Sequence, residues 1–180
     1  VYWEVVDHCY LCDMCYRTKC PYVPPHPWNV DFPHLMLRAK AKKFADGNVT
    51  FRDKLLTGTD RLGKLATAPG MASMVNAINA SPGMRKVMES KLGVAAEAAL
   101  PTYAKRPFRS RLPASGDWPV RDGQRTPGKV AIFTTCYVNY NEPGIGHDLL
   151  KLLDHNEVPY VVVKGETCCG MPKLELGDLD

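Results

Sequence analysis

Four of the seven cysteines in this 180-residue chain fall in the stretch HCYLCDMCYRTKCPYVPPH, His8 to His26. Cys9, Cys12, Cys15 and Cys20, with Pro21, spell C-x2-C-x2-C-x4-C-P. Three thiolates set two residues apart can curl a loop so that their sulfurs reach three corners of an iron–sulfur cubane, while a fourth, followed by proline, is carried off toward a second cluster. On that rule Cys9, Cys12 and Cys15 bind one 4Fe-4S cluster whose last ligand comes from elsewhere, and Cys20 serves another. The final gap is one residue longer than the bacterial run of this type. Structural zinc is the competing reading, but it normally uses two C-x2-C pairs a dozen or more residues apart, and a third cysteine interrupts that arrangement. His8 and His26 flank the motif as spare donors; ordinary loop polarity accounts for both.

A second constellation lies near the other end, where Cys136 closes the run KVAIFTTC and Cys168 and Cys169 sit in GETCCGMP. If the segment between them is a right-handed crossover joining two parallel strands, both strands end on the same sheet edge, where α/β sheets bind ligands, and the three thiols become neighbours. Gly170 lets the backbone approach a bulky group, and Pro172 stiffens the exit. That convergence favours metal or redox chemistry over a chance buried pair. Glu166 could act as a nearby acid, although surface solvation explains a lone glutamate; His147, on the connecting helix, caps or solvates it.

The elements that must position these thiols divide the chain into three stretches. Residues 1–100 carry the first motif and then a helical series. Asp31 as N-cap, Pro33 in the first turn and Gly47 as the stop define a helix of about fifteen residues with a basic outer face, Arg38, Lys40, Lys42 and Lys43. Further helices are expected from about Thr50 to Thr57, Asp60 to Ala66, Met71 to Asn79 and Ser81 to Lys91. Met71, Met74, Met84 and Met88 recur at helical intervals and read as core filler. Residues 101–128, with five prolines and three glycines, read as a linker. Residues 129–180 begin with an apolar strand expected to be buried on both faces. A helix follows with Ile145, Leu149, Leu152 and Leu153 on one stripe, then a second strand, PYVVVKG: one βαβ unit.

Composition narrows the function. The net charge of +4 is concentrated in the linker, where Lys105, Arg106, Arg109, Arg111, Arg121 and Arg125 face only Asp117 and Asp122. Such a strip docks an acidic partner or is solvated; a nucleic-acid partner is not expected. An odd cysteine count without a signal-peptide pattern argues for a reducing compartment and for thiols as ligands. No apolar run approaches the ~18 residues of a membrane span. Opening on Val1 and stopping soon after a dense cysteine motif, the chain reads as a fragment of a longer protein.

The two stretches CYLCDMCYRTKCPYVPPHPWNVDFPHLMLRAKAKKF and TTCYVNYNEPGIGHDLLKLLDHNEVPYVVVKGETCCGMPKLELGDLD resemble bacterial iron–sulfur proteins of the heterodisulfide reductase type, grouped with the anaerobic glycerol-3-phosphate dehydrogenase iron–sulfur subunit. The resemblance implies an α+β multidomain chain: an all-helical ferredoxin-like module with two 4Fe-4S clusters, followed by part of an α/β (βαβ) CCG domain. It also implies that a further cluster motif upstream completes the ligand sets of Cys9, Cys12, Cys15 and Cys20. Only Cys136, Cys168 and Cys169 match the CCG pattern, which in the family continues to a later C-x-x-C. These cysteines would hold a further iron–sulfur cluster or zinc. The expected role is an electron-transfer subunit of an oxidoreductase, working with a flavoprotein dehydrogenase or other electron-donor subunit and with a membrane or quinone-reactive partner, in the cytoplasm or peripheral at the inner face of the cytoplasmic membrane. The alternatives are a disulfide-reducing catalytic subunit and a structural zinc module. No catalytic residue is assigned.

Overall fold

Capping and helix-stopping residues account for most of the architecture. The computed structural model describes residues 1–112, 118, 119, 128–166 and 168–179. In chain order its elements are α1 (Tyr2–Asp7), a π-helical turn (Cys15–Lys19), α2 (Phe32–Ala45), α3 (Phe51–Thr57), α4 (Thr59–Ala66), α5 (Met71–Ala80), α6 (Pro82–Leu92), a 3-10 turn (Phe108–Arg111), β1 (Val130–Ile132), α7 (Cys136–Tyr140), α8 (Pro143–His155), β2 (Tyr160–Val162) and α9 (Met171–Leu176). The fold is α+β, mostly helical with a small parallel sheet. It forms two compact units, Val1–Gly58 with Gly170–Asp180, and Thr59–Cys169. Among the described residues no helix is long and apolar enough to cross a membrane.

In the first unit Asp31 caps α2 as expected, accepting the His34 N–H at 3.0 Å, and α3 opens on a capping box between Thr50 and Asp53. The basic outer face assigned to α2 needs correction at Lys40, which is buried. α1, α9 and the π-helical turn all pack on α2, so less of this helix faces water than a single-sided amphipathic reading allows. Val6 and Met36 are the most buried apolar side chains of this unit.

In the second unit the helices expected from Asp60, Met71 and Ser81 form to within one residue at each end. Of their methionines Met74 and Met84 are exposed and Met71 and Met88 half-buried, so the core-filler reading fails for the first pair. The buried position of α6 goes instead to Arg85, whose Nη2 donates to the carbonyls of Ala95 and Ala98, each at 2.7 Å, and closes the loop behind the helix. The core is Phe108, Leu150 and Tyr160, ringed by Ile132, Val138, Leu153 and Val162. Phe108 lies within the Pro- and Gly-rich stretch read as linker; residues 113–117 and 120–127 of that stretch lie outside the described residues.

β1 and β2 pair in parallel, from Val130 with Tyr160 to Ile132 with Val162, as the crossover reading requires. Burial on both faces does not hold: Val130 and Val161 are exposed, because each strand of a two-stranded sheet is an edge and α8 packs its core residues on one face. The helical stripe is likewise rotated. Of its expected members Leu153 does pack against the core, but Gly146 and Leu150 take the buried positions while Ile145, Leu149 and Leu152 face outward. Gly146 is small because the Phe108 ring lies against it, leaving no room for a Cβ. The sequence reading also missed α7, a short helix between β1 and α8.

Gly63 has the same role on α4, where a Cβ would overlap the Tyr140 ring of α7. Gly63→Ala gains up to about 1 kcal/mol of helix propensity but meets an overpacking cost of about 1–3 kcal/mol. The expected result is a lower urea midpoint with an unchanged slope; an unchanged or higher midpoint would show that the two helices do not touch there.

Candidate thiol site

Parallel pairing sends the segments after β1 and β2 off the same edge of the sheet, so residues far apart in sequence meet there. After β1, Thr135 caps α7 by accepting the Val138 N–H at 3.3 Å, and this cap makes Cys136 the first residue of the helix. After β2, the chain reaches Cys168 through Glu166. The two thiols meet at a hydroxyl from a third element: Thr59 Oγ1, at the start of α4, lies 3.7 Å from Cys136 Sγ and 3.4 Å from Cys168 Sγ. Cys169 is exposed.

Glu166 fastens the two emerging segments. Its Oε1 accepts the Thr134 N–H at 2.7 Å and pairs with Arg109 Nη2, which also donates to the Val163 carbonyl at 2.9 Å. The side chain is buried, so the expectation of a solvated surface glutamate is corrected; a carboxylate at this depth is stable because a guanidinium and a backbone amide both face it. Glu166 Oε2 and Thr134 Oγ1 are buried without a hydrogen-bond partner among the described residues. Both residues line a cavity of about 140 Å³ that Cys136, Asp60, Lys64 and Tyr140 also border. His147 is half-buried, and its ring packs against Phe108 with the ring centres 5.0 Å apart.

Charge around the cavity is ordered. Tyr140 donates its hydroxyl to Asp60 Oδ1 at 3.0 Å, and Lys64 Nζ lies 2.9 Å from Asp60 Oδ2. Burial pushes Asp60 upward, but the bonds from Lys64 and Tyr140, with the charges of Lys64 and Arg109, outweigh it and leave the carboxyl below the usual carboxylate range. Burial, then the hydrogen bond to Asp60, pushes Tyr140 up to about 12. The Cys136 thiol is pushed up to about 11, first by burial and then by Cys168 and Asp60, with the Thr59 hydroxyl acting in the opposite sense.

The N-terminal thiols are arranged differently. Cys12 and Cys15 are exposed, Cys9 and Cys20 half-buried, and the Cys20 N–H donates to the Cys15 carbonyl at 2.8 Å. Leu11 (φ 52°) and Asp13 (φ 63°), on either side of Cys12, take left-handed backbone conformations. For leucine this costs about 1–2 kcal/mol, the kind of strain that collects at ligand-holding loops. The donor chemistry fits an iron–sulfur cluster, yet among the described residues no three His, Cys, Asp or Glu side chains converge as a metal-holding set. Cys136 and Cys168, both within reach of the Thr59 hydroxyl, supply two soft sulfur donors of the kind an iron–sulfur or zinc centre takes. His8 bonds the Glu4 carbonyl at 2.8 Å, and His26 Nδ1 accepts the Trp28 N–H at 3.1 Å. The sequence reading places Arg109 only in a basic linker strip and does not single out Thr59; the one available signal is Gly63, an isolated glycine inside a helical pattern.

Residues 130–178 match the CCG cysteine-rich domain family. The chain is similar to a subunit of the anaerobic glycerol-3-phosphate dehydrogenase of Escherichia coli (strain K12), at 30% identity over 156 residues, 86% of this chain and 37% of that one. It is also similar to a subunit of the fumarate reductase (CoM/CoB) of Methanothermobacter marburgensis, at 36% identity over 58 residues, 32% of this chain and 12% of that one. An uncharacterized iron–sulfur protein of Methanocaldococcus jannaschii is 36% identical over 52 residues, 29% of this chain and 11% of its own. The chain thus spans little more than a third of the length of the dehydrogenase relative. No solved structure matches.

Two outcomes follow for the site. Arg109→Met leaves the Glu166 charge buried and unpaired, and is expected to cost about 3 kcal/mol or more in chemical denaturation; adding Glu166→Gln should restore part of it. In metal-free protein, iodoacetamide should label Cys136 at pH 8 about a hundredfold more slowly than exposed Cys169, with the rate still climbing toward pH 11, since only the thiolate attacks. Equal labelling of the two would contradict the half-buried placement of Cys136.

Proposed function

From a chain whose residues 130–178 belong to the CCG cysteine-rich domain family, we propose an iron–sulfur electron-transfer subunit of an oxidoreductase complex resembling anaerobic glycerol-3-phosphate dehydrogenase or heterodisulfide reductase. The observation that carries the reading is the meeting of Cys136 and Cys168 at one hydroxyl, in a chain that also holds four closely spaced thiols near its start. The names of the relatives support it: one belongs to a dehydrogenase, one to a reductase, and one is an iron–sulfur protein. In this reading residues 1–100 are a ferredoxin-like module, with Cys9, Cys12, Cys15 and Cys20 as ligands of two 4Fe-4S clusters together with residues from outside the chain. Residues 129–180 are a partial CCG module with Cys136, Cys168 and Cys169 as ligands.

Bound clusters supply the one-electron redox change; the chain holds them and sets their environment. Around Cys136 it does so by partial burial, by the Thr59 hydroxyl, and by the Glu166–Arg109 clasp that fixes both thiol-bearing segments. The partners we assign are a flavoprotein dehydrogenase or similar donor and a quinone-reactive acceptor at the cytoplasmic face of the membrane. A second reading, disulfide reduction at the CCG site, draws on the cavity that Cys136 borders.

Anaerobic purification with iron and sulfide analysis, followed by electron paramagnetic resonance of the dithionite-reduced protein, tests the assignment. Iron with acid-labile sulfide is expected, with a reduced-cluster signal that weakens on Cys12→Ser. Zinc with no visible absorption would instead select a structural metal module. Thiol release from a disulfide, abolished by Cys168→Ser, would favour the second reading.

A further inference from the structure

The family match begins at residue 130, yet the group lying between its two thiols comes from α4, far upstream. We infer that Thr59 is a positioning residue of the thiol site: its hydroxyl fixes Cys136 and Cys168 as a pair and stabilises the thiolates when they bind metal, so that α4 is an integral part of the centre. The inference rests on the proposed function and deepens it.

Two observations support it independently of the cysteines' spacing. The hydroxyl reaches both sulfurs, at 3.7 Å and 3.4 Å, across 77 and 109 residues of sequence, so no local turn accounts for the contact. The helix that carries it is clamped in place: Gly63 lets α4 lie flush on the Tyr140 ring, and Asp60, next in sequence to Thr59, accepts the Tyr140 hydroxyl at 3.0 Å. Both contacts bind α4 to the helix that begins with Cys136.

The chemistry of the hydroxyl sets what it can do. It has one proton to give. Toward the thiols it donates to Cys136 Sγ and can accept the Cys168 S–H; toward metal-bound thiolates it donates to one sulfur at a time. A donor of this kind orients its ligand and lowers the cost of negative charge on sulfur, and removing such an outer partner typically costs about 10–100-fold in metal affinity. Thr59→Val keeps the shape and deletes the donor, whereas Thr59→Ser keeps the donor and deletes a methyl group.

The test uses cobalt(II), whose thiolate charge-transfer absorption reports sulfur ligation, titrated anaerobically into the full chain with Cys9, Cys12, Cys15 and Cys20 changed to serine so that only the second set responds. Circular dichroism of each variant checks the fold. The expected result is a Kd raised about tenfold or more in Thr59→Val and changed less than about twofold in Thr59→Ser. An unchanged Kd in Thr59→Val overturns the inference and leaves the metal-centre reading intact. Equal weakening in both variants also overturns it, since packing and not the hydroxyl would then be responsible. No thiolate–cobalt absorption in the parent chain would overturn the metal-centre reading at this site, and Thr59's role with it.

Discussion

The parallel register of β1 with β2 is the constraint on which the thiol site depends. Two strands of three residues each contribute little stability by themselves, yet pairing Val130 with Tyr160 and Ile132 with Val162 decides that the segments leading to Cys136 and Cys168 emerge together. An antiparallel pairing of the same strands would send them to opposite ends. The register is held from one side by the core of Phe108, Leu150 and Tyr160, and from the emerging edge by Glu166, whose carboxylate joins the Thr134 amide to Arg109.

Around that edge each support comes from a different part of the sequence. Arg109 and Phe108 come from the Pro- and Gly-rich stretch, Thr59 and Asp60 from α4, and Cys168 from the segment after β2. Their common property is close fit: glycine at 63 and 146 removes the Cβ where a ring must sit. The polar contacts inside the unit, Tyr140 with Asp60 and Arg109 with Glu166, are partly or wholly shielded from water, where charge-assisted bonds are stronger than at a surface. The Cys136 thiol in such surroundings is a poor free nucleophile, because burial and the neighbouring Cys168 and Asp60 groups disfavour its thiolate.

Much of this was legible from residue types. Asp31, Pro33 and Gly47 mark their helix because capping chemistry is local, and the crossover that gathers Cys136 and Cys168 follows from the handedness of parallel strands. What escaped was non-local. Nothing in a basic, proline-rich stretch marks Phe108 as the centre of a core, and a lone glutamate gives no sign that an arginine 57 positions earlier will pair with it. The stripe on α8 was rotated because Ile145, Leu149 and Leu152 satisfy the same helical period as Gly146 and Leu150, and only packing against Phe108 chooses between the two. Lys40 misled for the opposite reason: charge normally marks an outer face, but α2 is packed by several neighbours. For the N-terminal thiols, spacing named a chemistry that the described loop does not by itself assemble.

The most direct measurement is a map of the cross-links that the disulfide-forming oxidant diamide introduces into the metal-free protein, read by mass spectrometry of non-reduced peptides. A strand crossover that sets Cys136 beside Cys168 predicts a dominant peptide joining those two residues. A dominant link from Cys168 to any cysteine between 9 and 20, or a Cys136 left unlinked while the other thiols react, would contradict it.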